Sequence, residues 1–130
     1  VLLRQNKDNV DEWLNRVNIF KNSENEEDLM KAIETFEQAI NTIDPMKANG
    51  ENRLYQIWVQ YALLYEEYED NEDDRINSPR EIFDRGVNST FSSVDDLCEL
   101  YCEYCEFELR NGYYKRGKDV LKNAINLPAN

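Results

Sequence analysis

Three aromatic residues, Trp13, Trp58 and Tyr101, open the same pattern of apolar residues at intervals of 45 and 43 positions. Behind each lies a second recurrent segment: Ala32-x-x-x-Phe36-x-x-Ala39-Ile40, then Pro79-x-x-Ile82-Phe83-x-x-Gly86-Val87, then Gly117-x-x-Val120-Leu121-x-x-Ala124-Ile125. Small residues recur at the two places where helices must approach closely, with a large apolar residue between them. Two helical segments per unit, repeated roughly every 40 residues, mark stacked helix hairpins whose apolar faces are buried only against their neighbours. The expected fold is therefore all-α, an α-α superhelix (solenoid) of antiparallel helix hairpins.

Local signals place the helices. Residues 1–5 read as the last turn of a preceding helix. Asn9 offers an N-cap with Glu12 at the third position, and Val10, Trp13, Leu14, Val17 and Phe20 follow at helical spacing. Ser23 and Glu26 mark a second start, from which Leu29, Ala32, Ile33, Phe36, Ala39, Ile40 and Ile43 run to a stop at Pro45. A third helix, after a loop over 46–51, holds Leu54, Ile57, Trp58, Tyr61, Ala62, Leu64 and Tyr65. The run 66–74, in which seven of nine residues are acidic, reads as a solvated loop, with a docking patch for a basic partner as the alternative. Ser78, Pro79 and Glu81 then predict the N-cap, first-turn proline and capping glutamate of a fourth helix. Ser93 and Asp96 open a fifth, Asn111-Gly112 ends it, and a sixth covers 113–127 before Pro128. Hairpins are expected at about 9–44, 52–88 and 93–127.

Composition narrows the function. With 41% hydrophobic residues the chain has enough for a core, and its 32% charged residues, four Gly and three Pro favour long helices. It lacks an apolar run long enough to span a bilayer, so no membrane association is expected. The start VLLRQNKDNV carries neither Met nor a signal-peptide apolar core, and the chain reads as an excised piece of a larger array. The formal charge of −12, from 27 acidic and 15 basic residues, argues against direct nucleic-acid binding, which draws its affinity from Lys and Arg on phosphates. No histidine is present, which removes the commonest general base and a usual zinc ligand. Scattered glycines make no phosphate-cradling loop. An odd count of three cysteines does not suggest a secreted disulfide scaffold, and Asn88-Ser89-Thr90 reads as a chance sequon. The aromatic residues, spaced for a helical face, read as core and not as a stacking surface for a small-molecule substrate.

One stretch permits a chemical reading. In 94–110, Cys98, Cys102 and Cys105 have the C-x-x-x-C-x-x-C spacing that radical enzymes use for an iron-sulfur cluster. There the cysteines lie on a loop of an α/β barrel, for which 130 residues are too few. Here they sit on a capped helix, where cysteine serves as a small apolar residue. Disulfides between them are disfavoured, because residues three or four apart on a helix hold their Cβ atoms about 5–6 Å apart. No catalytic, cofactor-binding or metal-ligating residue is expected, and the chain reads as non-enzymatic. The residues expected to matter are those that pack the repeats: Trp13, Phe20, Ala32, Phe36, Ala39, Trp58, Tyr61, Ala62, Ile82, Phe83, Gly86, Tyr101, Tyr104, Cys105, Phe107, Gly117, Leu121 and Ala124.

These motifs resemble the half-a-TPR (HAT) repeat, whose first helix reads W-x-x-Y-A-x-F-E and whose second carries a small residue, I/V-F and R-A. Trp58-x-x-Tyr61-Ala62-x-Leu64 matches, with Tyr65 in the glutamate's place. Tyr101-x-x-Tyr104-Cys105-x-Phe107-Glu108 matches more completely, and Ile82-Phe83-x-Arg85-Gly86 matches the second helix. The first hairpin fits ordinary TPR spacing. The segments Asn9-Val10-Asp11-Glu12-Trp13, Thr42-Ile43-Asp44-Pro45, Val94-Asp95-Asp96-Leu97, Glu108-Leu109-Arg110 and Leu127-Pro128-Ala129 narrow the resemblance. They resemble the HAT-repeat pre-mRNA splicing factors of the XPA-binding protein two / synthetic-lethal-with-cdc-forty protein one family. Departures are Lys7 where proline is expected, a long acidic loop over 69–77, and Pro79 at a small-residue position.

The resemblance implies a nuclear, non-enzymatic scaffold of the nineteen-complex, which joins and stabilises the activated spliceosome, with a link to transcription-coupled repair. It implies other splicing-complex proteins as partners and no cofactor. The alternative binding class is a TPR co-chaperone gripping a peptide carboxylate, which requires a basic groove. Asn15, Arg16 and Arg53 are its only scattered candidates on the first helices.

Overall fold

The computed structural model describes residues 6–21 and 25–127. The expected helix tail at 1–5, the cap at Ser23 and the stop at Pro128 lie outside the described residues. Among those described, regular structure is helical: α1 (Val10–Lys21), α2 (Glu26–Thr42), α3 (Tyr55–Tyr68), α4 (Glu72–Val87), α5 (Val94–Arg110) and α6 (Tyr114–Ile125). An isolated bridge joins Asn9 to Asn49. The chain forms two compact units, one ending at Ile57 and one beginning at Trp58.

In the first unit α1 packs on α2. Asn9 Oδ1 accepts from Glu12 N at 3.1 Å and starts α1. Asn25 caps α2 by accepting from Glu27 N, with Glu26, Glu27 and Asp28 in the first turn where the helix dipole favours negative charge. The core is Val10, Trp13 and Val17 from α1 with Ala32, Phe36 and Ala39 from α2. The Trp13 indole N–H is not left unpaired there; it donates to Lys7 O at 2.8 Å. Helix α2 closes at Ile43, which is extended, ahead of Pro45.

The segment after Pro45 is tied to the start of α1 by two carboxylates. Asp8 Oδ1 accepts from Asp44 N at 2.8 Å. Asp11 accepts from Glu51 N at 2.7 Å, Asn52 N at 2.8 Å and Asn52 Nδ2 at 2.7 Å. Backbone bonds from Val10 N to Asn49 O and from Asn49 N to Asp8 O complete the seam. The backbone donors hold both carboxyls below the ordinary carboxylate range.

In the second unit α5 packs against both α4 and α6. Phe83 stacks on Tyr104 with ring centroids 4.9 Å apart and planes 7° from parallel, and Phe107 lies 5.6 Å from Phe83. Gly86 lets three helices meet: a Cβ there would lie 2.8 Å from Leu100 Cδ2 and 2.9 Å from Trp58 Cγ. Ser93 Oγ accepts from Asp96 N to start α5, and Gly112 at φ +87° reverses the chain after it.

The fourth helix corrects the sequence reading. It begins at Glu72, not at Pro79, and the run 66–74 is not a free loop. Glu66 and Glu67 belong to α3, and Glu72, Asp73 and Asp74 form the first turn of α4. Asn71 caps that turn by accepting from Asp73 N and Asp74 N, and Arg75 Nε reaches back to Glu69 O at 3.0 Å. An asparagine cap followed by three acids satisfies a helix start more fully than Ser78 does. Pro79 then lies inside the helix, without an N–H to give to the Arg75 carbonyl. Its ring is fully buried, which offsets part of that loss.

Candidate functional site

The second unit buries a charge. Glu108 has no solvent exposure, and removing a carboxylate from water is costly unless it is paired. Arg80 provides the pairing in a two-pronged arrangement: Nε to Oε2 at 2.9 Å and Nη2 to Oε1 at 2.8 Å. Arg116 Nε adds a longer bond to Oε2 at 3.4 Å. Tyr113 lies against the Arg80 guanidinium, 4.4 Å from its ring centroid. The hydrogen bond to Glu108 holds the Arg80 guanidinium still more firmly protonated. One residue from each of α4, α5 and α6 thus meets at one carboxylate.

Beside it, the Tyr104 hydroxyl donates to Asp84 Oδ1 at 2.8 Å. Burial first, and then that carboxylate, push the phenol well above its usual range, so Tyr104 is a donor and not an acid-base group at neutral pH. A cavity of about 320 Å³ opens here between α4 and α6. Asp84 and Val87 line it from α4 and Asn88 from the C-cap of that helix, Tyr101 and Tyr104 from α5, and Arg116, Asp119, Val120 and Asn123 from α6. At the far end of α5, Arg110 and Asn111 clasp Glu66, with Arg110 Nη2 2.6 Å from Oε1 and Asn111 Nδ2 2.8 Å from Oε2.

The residues singled out from sequence fall in several places. In the first unit Trp13, Ala32, Phe36 and Ala39 are buried and Phe20 is half-buried. In the second, Trp58, Tyr61, Ala62, Ile82, Phe83 and Gly86 are buried, as are Tyr104, Cys105, Phe107 and Gly117. Tyr101 and Ala124 are half-buried and Leu121 is 42% exposed. On α5 the fully buried neighbour is Leu100, and on α6 it is Val120 that turns inward. The residues that sequence reasoning missed are Arg80, Asp84 and Arg116, because no local pattern links them to Glu108 or Tyr104.

The cysteines do not converge. Cys105 is buried, Cys98 half-buried and Cys102 exposed, all as free thiols. Desolvation, followed by neighbouring glutamates, raises the thiol pKa of Cys102 and Cys105, which keeps both protonated and poorly nucleophilic. Among the described residues no three His, Cys, Asp or Glu side chains come together as a metal site. Asn15, Arg16 and Arg53 are each exposed. No described helix is long and apolar enough to cross a membrane.

Comparison with known proteins agrees with this repeat of buried motifs. Residues 45–130 match the family described as the pre-mRNA-splicing factor Syf1/CRNKL1 C-terminal HAT repeat, and residues 1–43 match the SYF1 middle HAT repeat. The chain belongs to the Syf1 family of HAT-repeat proteins.

Syf1 relatives align along nearly its whole length. The pre-mRNA-splicing factor SYF1 of Dictyostelium discoideum is 35% identical over 128 residues, 98% of this chain and 14% of that protein. SYF1 of Homo sapiens is 35% identical over 129 residues, 99% of this chain and 14% of that protein. The splicing factor cwf3 of Schizosaccharomyces pombe is 31% identical over 128 residues, 98% of this chain and 15% of that protein. The chain therefore spans about one-seventh of these relatives' length. Family membership places it in the all-α helical-repeat class. It also gives Glu108 a meaning, since the closing glutamate of the HAT first-helix pattern is here the buried partner of Arg80.

Proposed function

We propose that this chain is a protein-binding segment of a pre-mRNA splicing factor. It acts as a scaffold without catalysis of its own, in the nucleus, within the nineteen-complex that stabilises the activated spliceosome. A part in transcription-coupled repair belongs to the same reading. The residues 9–44, 52–88 and 93–127 are three consecutive hairpins of a longer HAT array, and the partners are other splicing-complex proteins. The observation that carries the reading is the continuous match to splicing-factor relatives, about 35% identical over 98–99% of the chain.

The chemistry of the interior supports a scaffold. Glu108 and Arg80 pair with each other and the Tyr104 hydroxyl is spent on Asp84 Oδ1, as in structural groups. The −12 charge favours basic protein surfaces and opposes phosphate backbones.

Affinity purification of the tagged full-length protein from nuclear extract tests the reading. Recovery of spliceosomal proteins is expected. A preparation free of them, or one dominated by chaperones, would contradict it.

A further inference from the structure

We propose that the cavity between α4 and α6 is a binding site for the guanidinium of an arginine in a basic segment of a partner polypeptide. The inference rests on the protein-binding reading above and adds to it a place and a chemistry.

Three features of the cavity point to this ligand. Its volume, about 320 Å³, lies at the low end of ligand pockets at roughly 300–1,000 Å³; it suits one long side chain more than a cofactor. Its lining is divided: Val87 and Val120 offer apolar wall for a methylene stem, and the half-buried Tyr101 and the buried Tyr104 offer aromatic floor. Its acceptors lie at the rim. Asp84 uses Oδ1 for the Tyr104 hydroxyl, which leaves Oδ2. The Asp119 carboxylate has no hydrogen bond or ion pair among the described residues, and Asn88 and Asn123 add amide oxygens.

Charge selects a cation. Arg116 also lines the cavity, but its Nε is turned to the buried Glu108. Counted with Arg80, the cluster sets the three carboxylates of Asp84, Glu108 and Asp119 against two guanidiniums, so its net charge is negative. A phosphate or a C-terminal carboxylate entering here would meet Asp84 and Asp119. Arginine fits better than lysine. Its planar fork reaches two carboxylates at once and lies flat on a tyrosine ring, whereas an ammonium is a single, strongly hydrated point.

The test is an NMR titration of the ¹⁵N-labelled 130-residue chain with the capped peptide acetyl-Gly-Gly-Arg-Gly-Gly-amide, its lysine counterpart and its citrulline counterpart. Citrulline keeps the shape and removes the charge. The arginine peptide is expected to give saturable shifts at Asp84, Asn88, Tyr101, Asp119 and Asn123, with upfield movement of its own side-chain methylenes from the tyrosine ring. Lysine is expected to bind several-fold more weakly and citrulline not at all. Asp119 is on an exposed face of α6, so Asp119→Asn should fold like the parent, which its melting curve checks. That variant should weaken binding about tenfold, the scale of one charge-assisted pair, and Asp119→Glu should recover most of it. Shifts that never saturate, that map elsewhere, or that are equal for citrulline would overturn the proposal; equal lysine binding would overturn the choice of arginine. If the cavity stays silent while the full-length protein still captures splicing proteins, the site is wrong and the scaffold reading stands.

Discussion

The two units hold charge in opposite ways. In the first, Asp8 and Asp11 are spent at the rim on the backbone amides of Asp44, Glu51 and Asn52, and the core beneath is Val10, Trp13, Val17, Ala32, Phe36 and Ala39. In the second, a carboxylate is taken inside, where Glu108 is wholly buried and clasped by Arg80. A rim carboxylate fastens a loop and is exchangeable with water. A buried one commits three helices to one geometry, because each must deliver its residue to the same pair of oxygens. The second unit is therefore expected to depend more on single polar residues and to be the more exacting of the two in sequence.

Substitutions sharpen or break that contrast. The largest effect is expected at Trp58, buried against Gly86. Trp58→Ala should cost about 3–5 kcal/mol, as truncations of buried aromatics do, read as a shift in urea midpoint. An unchanged midpoint would remove Trp58 from the core. Glu108→Ala should cost about 3 kcal/mol, because it leaves the Arg80 guanidinium, with a side chain only 15% exposed, without its partner. A cost under about 1 kcal/mol, the range of exposed pairs, would mean the pair is solvated and the contrast false.

The glycines divide next. Gly86→Ala should cost about 1–3 kcal/mol, since the added methyl would press on Trp58 and Leu100. At Gly117 the nearest obstacle is the tip of the 41% exposed Leu109, which is free to move away. Gly117→Ala should therefore be near neutral or stabilising by up to about 1 kcal/mol through helix propensity. Equal costs at the two sites would show that close approach is not what Gly86 provides.

The smallest destabilisation belongs to the first unit and has a pH signature. Asp11 has a depressed pKa in the folded state, so its contribution is complete above the unfolded-state value, about 3.9, and is lost as pH falls through the folded value. Asp11→Ala should lower the melting temperature by a few degrees at neutral pH, and the gap to the parent should close in acid. A gap that persists at acid pH would show that the seam does not depend on the charge of Asp11.

How far the sequence disclosed this architecture depends on the reach of each signal. Helices with local caps were legible: Asn9 before α1, Ser93 before α5, and Asn111-Gly112 after it, all within a turn of the residues they serve. The start of α4 was not, because two local signals compete. Ser78-Pro79 with Glu81 also resembles a helix start, although Asn71 with its three acids is the fuller one, and what lets the helix run through is the burial of the Pro79 ring, a tertiary fact. The charge cluster was less legible still. Glu108 stood in the repeat motif beside Tyr104 and Phe107, but nothing local marks its charge as paired. Its partner Arg80 lies 28 residues away on another helix. The cavity is drawn from three helices at once and leaves no mark in any one of them.

Hydrogen exchange on the parent and Glu108→Ala chains, read by peptide mass spectrometry under identical conditions, tests the contrast most directly. Protection is expected to fall most across α4, α5 and α6, and by clearly less across α1 and α2. An even loss along the whole chain, a loss concentrated in α1 and α2, or no loss at all would contradict the view that the second unit is organised around its buried carboxylate.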